Sequence, residues 1–524
     1  MKYLEGQDRL QQEIQTRCLD ETVERGAEVR VIDAFVGALD MAKMGFRADH
    51  IDNGRPAYRP ADMLRLFLYG YRNGVRSSRQ LEKLCKVHLE VIWLMRGLAP
   101  DHNTISNFRK NNPEAIRNVF RHTVEIAKQH HLIGAKLLAG DGTKLRAQNS
   151  KKNNYNPRKV ERHLQMIDNK LGEYAAALAE ADGDAEKQSE IKQQIKKQKQ
   201  QKKRYQQLQQ EMDTTGTEQV STSDPDSRHL IIRGQVTEVA YNIQSTVDAK
   251  NNLPIDYLVT NQNDTKAMGN MLQRATDIVG HNKFTALYDK GYHTGSEFEK
   301  AEKLGVKVLV GEPQVSSHAP DTRFDVEHFR YHPKKDCYTC PAGKTLTTNG
   351  HTYKKAHGKT QTTVKHYKTS ECAGCALLSL CTRNPKGRVI ERPQFAELVE
   401  KNRRLLKRNP ELYRKRQAIV EHPFGTIKRA WGFDHIMTKK TMRHASADVG
   451  LIFTAYNLMR LMNLLGAGFA GLFKAVFGGI LRRYKGIWGL LAAFCAPIAN
   501  HANIFNEGVE GLGIGLILGD ERRL

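Results

Sequence analysis

Three carboxylates limit what this chain can fold into more than any other feature. Asp141 stands in Leu137-Leu-Ala-Gly-Asp-Gly-Thr-Lys144, and Asp289 in Phe284-Thr-Ala-Leu-Tyr-Asp-Lys-Gly-Tyr292. Each ends or interrupts a short apolar run, the pattern of a buried strand. Glu421 has another setting. It opens Glu421-His-Pro-Phe-Gly-Thr-Ile-Lys428, inside a basic helical run from about Gln394 to Trp431. On a helix Glu421 and Lys428 lie on nearly one face, about 10 Å apart. A lone glutamate among Arg414, Arg416, Lys428 and Arg429 is most simply a salt-bridged surface group. Two strand-borne aspartates with one helix-borne glutamate are also what a two-metal phosphoryl-transfer site requires.

The chain has 524 residues, enough for more than one domain, and a formal net charge of +25. That charge fits an anionic polymer as partner and fixes no fold. The start, Met1 to Asp8, is polar and lacks the apolar core of a signal peptide. The apolar, glycine-rich stretch after residue 466 is interrupted by Lys474, Arg482, Arg483 and Lys485, so no clean run spans a bilayer. A cytoplasmic protein without a membrane partner is expected.

Residues 1–130 read as helical. Pro60 can start a helix, with Met63, Leu64, Phe67, Leu68 and Tyr71 on one face. Ser77 and Ser78 can cap the next, and a third carries Ile105, Phe108, Arg109 and Lys110. Short helices with basic ends suit a helix-turn-helix DNA binder and an ordinary bundle equally well. Residues 136–147 read as a strand holding Asp141. Val160, Leu164, Ile167, Leu171, Tyr174 and Leu178 then step by 4 and 3, a heptad seam. With a turn at Asp182-Gly-Asp184, residues 158–212 predict an antiparallel helical hairpin. Its second arm, Glu186 to Tyr205, sets eight Lys or Arg against two Glu. Such a face is solvated or tracks a phosphate backbone. Residues 213–228 read as loop.

Strands follow at 237–248 and 254–260, a helix at 265–279, a strand at 283–288 ending on Asp289, a helix at 295–304 and a strand at 306–310. The helix bearing Glu421 comes after a long interruption, and an apolar helix spans 443–466. This order predicts an α/β fold: a ribonuclease H-like mixed sheet with helices. It is preceded by an all-helical N-terminal domain (1–130). The catalytic domain (131–466) is interrupted by the helical hairpin (151–230) and a Cys-rich insertion (311–393), and an apolar tail (467–524) follows.

Eight cysteines are present, five of them at Cys337, Cys340, Cys372, Cys375 and Cys381. Paired C-x-x-C turns present thiolates tetrahedrally to zinc, and in a reducing compartment they argue for metal over disulfides. Five sulfurs compete for four places, and His351, His357 and His366 lie between the pairs. The zinc would be structural. The three acids, with hard oxygen ligands, suit Mg²⁺ or Mn²⁺. Asp248 and Asp264 read as turn or cap residues.

These blocks carry a resemblance. Gly140-Asp-Gly-Thr-Lys144, Tyr288-Asp-Lys-Gly-Tyr292 and Val420-Glu-His-Pro-Phe-Gly-Thr-Ile-Lys-Arg429 are similar to the three catalytic blocks of bacterial insertion-sequence DDE transposases. The group is the one with a Tyr-Arg-Glu-Lys signature. Tyr58-Arg-Pro-Ala-Asp-Met-Leu-Arg-Leu66 and Pro100-Asp-His-Asn-Thr-Ile-Ser-Asn-Phe-Arg109 resemble the helical N-terminal domain of such enzymes. The signature sets Arg four and Tyr seven residues before the Glu. Here Arg416 is five and Tyr413 eight before Glu421, and Gln417 takes the fourth place. The resemblance implies Asp141, Asp289 and Glu421 as catalytic Mg²⁺ ligands, and Lys428, Arg429, Arg416, Lys290 and Arg109 at DNA. It also implies terminal-inverted-repeat and target DNA as partners, a homodimer or larger synaptic complex, and a nucleoid-associated location. Two alternatives are a catalytically silent DNA-binding regulator and a ribonuclease H-like nuclease that does not transpose.

Overall fold

The structure, a computed structural model, describes residues 18–46, 56–233, 236–314, 319–357 and 360–466. The apolar tail at 467–524 lies outside them. Among the described residues, seven α-helices come first: α1 (Glu28–Ala38), α2 (Met41–Met44), α3 (Pro60–Arg72), α4 (Ser78–Val87), α5 (Leu89–Leu94), α6 (His102–Asn111) and α7 (Pro113–Gln129). Proline at the first position begins α3 and α7, where its missing N–H costs nothing. The carboxylate of Asp101 caps α6 by accepting from the Asn103 and Thr104 amides. Ser77 stands at the start of α4 but makes no side-chain cap bond.

A six-stranded mixed sheet follows. Its strands are β1 (Leu137–Arg146), β2 (Arg228–Arg233), β3 (Val236–Asp248), β4 (Leu253–Thr260), β5 (Thr285–Tyr288) and β6 (Lys307–Val310). The order is β4-β3-β1-β5-β6, with β2 sharing the outer edge of β3 with β4. β3 runs antiparallel to β1, β2 and β4, whereas β1, β5 and β6 are mutually parallel. Parallel neighbours need crossovers, and the helices α10 (Met268–Val279) and α11 (Gly295–Lys303) supply them. β2 falls almost wholly between the loop expected at 213–228 and the strand expected at 237–248. It pairs with the exposed start of β3 and leaves Ile231 exposed, so it carries a weak apolar signal.

Between β1 and β2 the chain forms α8 (Pro157–Glu180) and α9 (Ala185–Thr215). The hairpin is closed at its base by a cluster of Tyr155, Val160, Leu208, Met212 and Val220. Of its seam, Val160 and Ile167 are buried, and the outer half is only partly so. After β6, residues 330–393 form two small three-stranded antiparallel sheets.

The basic run of 394–431 is two helices, α12 (Ala396–Arg408) and α13 (Pro410–Gly425). Pro410 forces the break, because the residue before proline is pushed out of the helical region. α13 continues into one π-helical turn, Thr426–Ala430. The last described helix is α14 (Met442–Leu465). No helix among the described residues is long and apolar enough to cross a membrane.

The two faces of the sheet are covered differently. Ala139, Val247, Leu287 and Leu309 pack under Ile419 and Val420 of α13. The opposite face joins a larger core that runs through the N-terminal helices, α10 and α14 without a break at residue 130. Phe120 of α7, Tyr257 of β4 and Phe453 of α14 meet there, with ring centroids 5.0 and 5.6 Å apart along the series.

Candidate active site

Side chains alternate across a strand, and that alternation builds the site. Ala139 of β1 pairs with Leu287 of β5, and both face α13. Asp141 and Asp289 each lie two residues further on. Extending the register puts them level and on one face, just past the last paired residues, and their charges interact. Glu421 rides on the helix that covers this face. Thr143, two residues beyond Asp141, accepts a hydrogen bond from Lys428 Nζ at 3.1 Å, and the Lys144 carbonyl accepts another at 3.3 Å. Burial lowers the pKa of this lysine, and its two hydrogen bonds anchor the π turn that continues α13 to β1. Tyr413 reaches the same region and donates to the Tyr288 carbonyl at 3.1 Å. A side chain at Gly311 would put its Cβ 2.3 Å from that hydroxyl, so glycine is required there.

The charge balance around Asp141 is uneven. Its side chain keeps 25 % of its surface exposed. Burial pushes its carboxyl up to about 6; Arg416 opposes this, and the charges of Asp289 and Asp264 add to it. Arg416 Nη1 sits 3.8 Å from Asp141 Oδ2, so its guanidinium partly offsets a carboxylate cluster short of cation. Five residues separate Arg416 from Glu421, which is about 140° of helical rotation. With Arg416 turned to the sheet, Glu421 is exposed, and its Oε1 accepts from Gln417 Nε2 at 2.8 Å. Among the described residues no three His, Cys, Asp or Glu side chains converge at metal-ligand spacing. Asp141 and Asp289 stand near enough for their charges to interact, and Glu421 is exposed on the covering helix.

A polar layer backs the site through β1. Asp264, read from sequence as a cap, accepts from Lys144 Nζ at 2.8 Å, Asn242 Nδ2 at 2.8 Å and Gln244 Nε2 at 2.6 Å. Burial pushes its carboxyl up, but Lys144 and these hydrogen bonds outweigh burial and hold it below the ordinary value. Gln244 in turn accepts from the Tyr292 hydroxyl. Gly142 permits this packing: a Cβ there would lie 2.3 Å from Asp264 Oδ1. The signal was present in the sequence. Asn242 and Gln244 are polar residues in an otherwise buried strand, and such groups need partners.

The other candidates fall in varied places. Lys290 and Arg429 are exposed beside the site. Arg109 is a buried structural residue instead, donating to the Tyr71 hydroxyl and the Arg76 carbonyl at 2.9 Å each. It has no free surface to offer DNA. Cys340, Cys372, Cys375 and Cys381 line one small cavity away from the acids, and Cys337 does not. Burial raises the Cys381 thiol pKa, Arg388 opposes that rise, and the sulfurs of Cys372, Cys340 and Cys375 add to it. His366 stacks on Tyr353 at 4.3 Å, and neither lines the cavity.

Two comparisons bear on this geometry. Residues 17–111 match the Transposase domain (DUF772) family, and residues 339–462 match the Transposase DDE domain family. The second match includes Glu421, Lys428 and four of the five clustered cysteines. No curated protein matches the chain. A DDE domain implies a divalent-metal-dependent reaction. One match lies over the N-terminal helices and the other over the helix that covers the two aspartates, and together they support an insertion-sequence DDE transposase.

Proposed function

We propose that this chain binds the terminal inverted repeats of its insertion sequence, cleaves the element ends and joins them to target DNA. Its sheet serves as a ribonuclease H-like scaffold, and Asp141, Asp289 and Glu421 are the catalytic acids. The observation that carries the reading is the level placement of Asp141 and Asp289 under the helix bearing Glu421. Those residues would hold Mg²⁺ or Mn²⁺, which when bound activates the attacking water or 3′-hydroxyl and stabilises the leaving oxygen. Arg416 balances the Asp141 charge before DNA arrives. Lys428 fixes the end of α13 on β1, and Lys290 and Arg429 offer cations to the incoming phosphates. The net charge of +25 favours the same partner. A homodimer or larger assembly would bring two ends together.

The test is Mg²⁺-dependent cleavage of a duplex carrying the ends of this gene's own locus, comparing wild type with Asp289→Ala. Cleavage and joining by wild type, and binding alone by the variant, are expected. Binding without cleavage by both would make the chain a regulator. Cleavage without joining to target would make it a nuclease.

A further inference from the structure

We infer that Cys340, Cys372, Cys375 and Cys381 form a tetrathiolate zinc site, and that Cys337 is not a ligand. The four come from three separate turns. Cys340 opens a tight turn in which Gly343, at φ +78°, donates to the Cys340 carbonyl at 2.9 Å. The Lys344 amide then donates to Cys340 Sγ at 3.3 Å, a bond that favours thiolate. Cys375 donates its amide to the Cys372 carbonyl at 3.2 Å, which folds the second C-x-x-C into a turn of its own. Cys381 ends the single helical turn Leu378–Cys381. All four line one cavity.

Two further observations bear on that cavity and its cysteines. Arg388 lines it and is 8 % exposed, yet its Nε has no hydrogen-bond partner. A buried cation facing four thiols needs an anion. Zinc with four thiolates carries a net charge of −2, and the four thiol protons leave to solvent on binding. Gly387 supplies the second. It has φ +97°, and a Cβ there would lie 2.6 Å from Cys372 Cβ and 3.2 Å from its Sγ. The chain thus returns against Cys372 closely enough to exclude any side chain. Cys337, by contrast, is buried in the strand Cys337–Thr339, paired with His332 on one side and Thr347 on the other. Among the described residues no three ligands already stand at metal spacing, so the four sulfurs would draw in to about 2.3 Å from the ion on binding.

The site would brace the segment that delivers α13. From Arg388 the chain enters the strand Ile390–Pro393, where Arg392 pairs with Glu400 of α12 at 2.5 Å. Asn402 of α12 then bonds both the amide and the carbonyl of Val310 at the end of β6.

The test uses the full chain purified without chelator, with zinc counted by mass spectrometry. About one zinc per chain is expected in wild type and in Cys337→Ser, with loss in Cys372→Ser and Cys381→Ser. X-ray absorption at the zinc edge of wild type, which needs no variant to fold, should count four sulfur neighbours. Zinc lost from Cys337→Ser, three sulfurs with a nitrogen, a disulfide among these cysteines, or a metal-free wild type would each overturn the inference.

Discussion

Asp141 is destabilising where it stands, and that is testable. Its carboxyl titrates at about 6 in the folded chain and at about 3.9 unfolded. The folded state therefore holds the proton more tightly. Metal-free stability should fall as pH rises from about 4 to about 6, and stay low above that. Asp141→Asn removes the titration. At pH 7.5 the variant should be more stable than wild type by on the order of 2–3 kcal/mol, and below about pH 4 the difference should vanish. Urea midpoints without metal across this range check it; a difference independent of pH would mean burial is not the cause. Added Mg²⁺ should stabilise wild type and leave the variant unmoved. Asp264 acts differently, as a positioning residue. Asp264→Asn leaves the Lys144 ammonium without its ion-pair partner, directly behind Asp141. Cleavage rate or apparent metal affinity should fall about 10–100-fold while DNA binding persists. Loss of binding and cleavage together would show a merely structural part.

At the level of elements, strong periodicity was readable and its interruptions were less so. The strand holding Asp141, the strand that stops just before Asp289 and the hairpin seam at Val160, Leu164 and Ile167 have one dominant pattern each, and they appear where expected. β2 was missed because its apolar residues do not alternate cleanly and Ile231 remains exposed. Asp264 was missed because its partners Asn242 and Gln244 lie about twenty residues away, and only strand register brings them together. Arg109 looked like a surface cation because its buried partners come from α3 and the turn before α4. The hairpin's stability is largely its own, since its cluster of Tyr155, Val160, Leu208 and Met212 is separate from the main core. Replacing residues 172–198 by a short Gly-Asn turn keeps this cluster, the Asp168–Lys202 pair at 2.6 Å and the His163–Tyr205 stack at 4.8 Å. The melting temperature should change by no more than about 2 °C. Titration of labelled duplex would then show whether Lys192, Lys196 and Lys197 contribute: weaker binding with a shallower salt dependence is expected if they touch phosphates.

For the whole molecule, the N-terminal helices share one continuous core with the sheet, and a buried aspartate joins those helices to α14. Asp448 of α14 is fully buried. It accepts from the Tyr71 hydroxyl, from Arg76 Nη1 at 3.4 Å and from the Met437 amide at 2.8 Å, and Arg109 Nη1 stands 3.8 Å away. Arg76 also reaches the His435 carbonyl at 2.8 Å, so the cluster spans α3, α6, α14 and the loop after the π turn. Two guanidiniums share this one carboxylate. Removing it strands both charges away from water, and breaking a buried pair in this way costs about 3–5 kcal/mol. Asp448→Ala should lose that much in denaturant unfolding, whereas Asp448→Asn, which keeps an acceptor oxygen, should lose less. Because the core is continuous across residue 130, both variants should still unfold in one transition seen alike by circular dichroism and tryptophan fluorescence. Two separated transitions would mean that the helices and the sheet are independent bodies. Under the proposed function, DNA-end recognition would then be uncoupled from the three carboxylates.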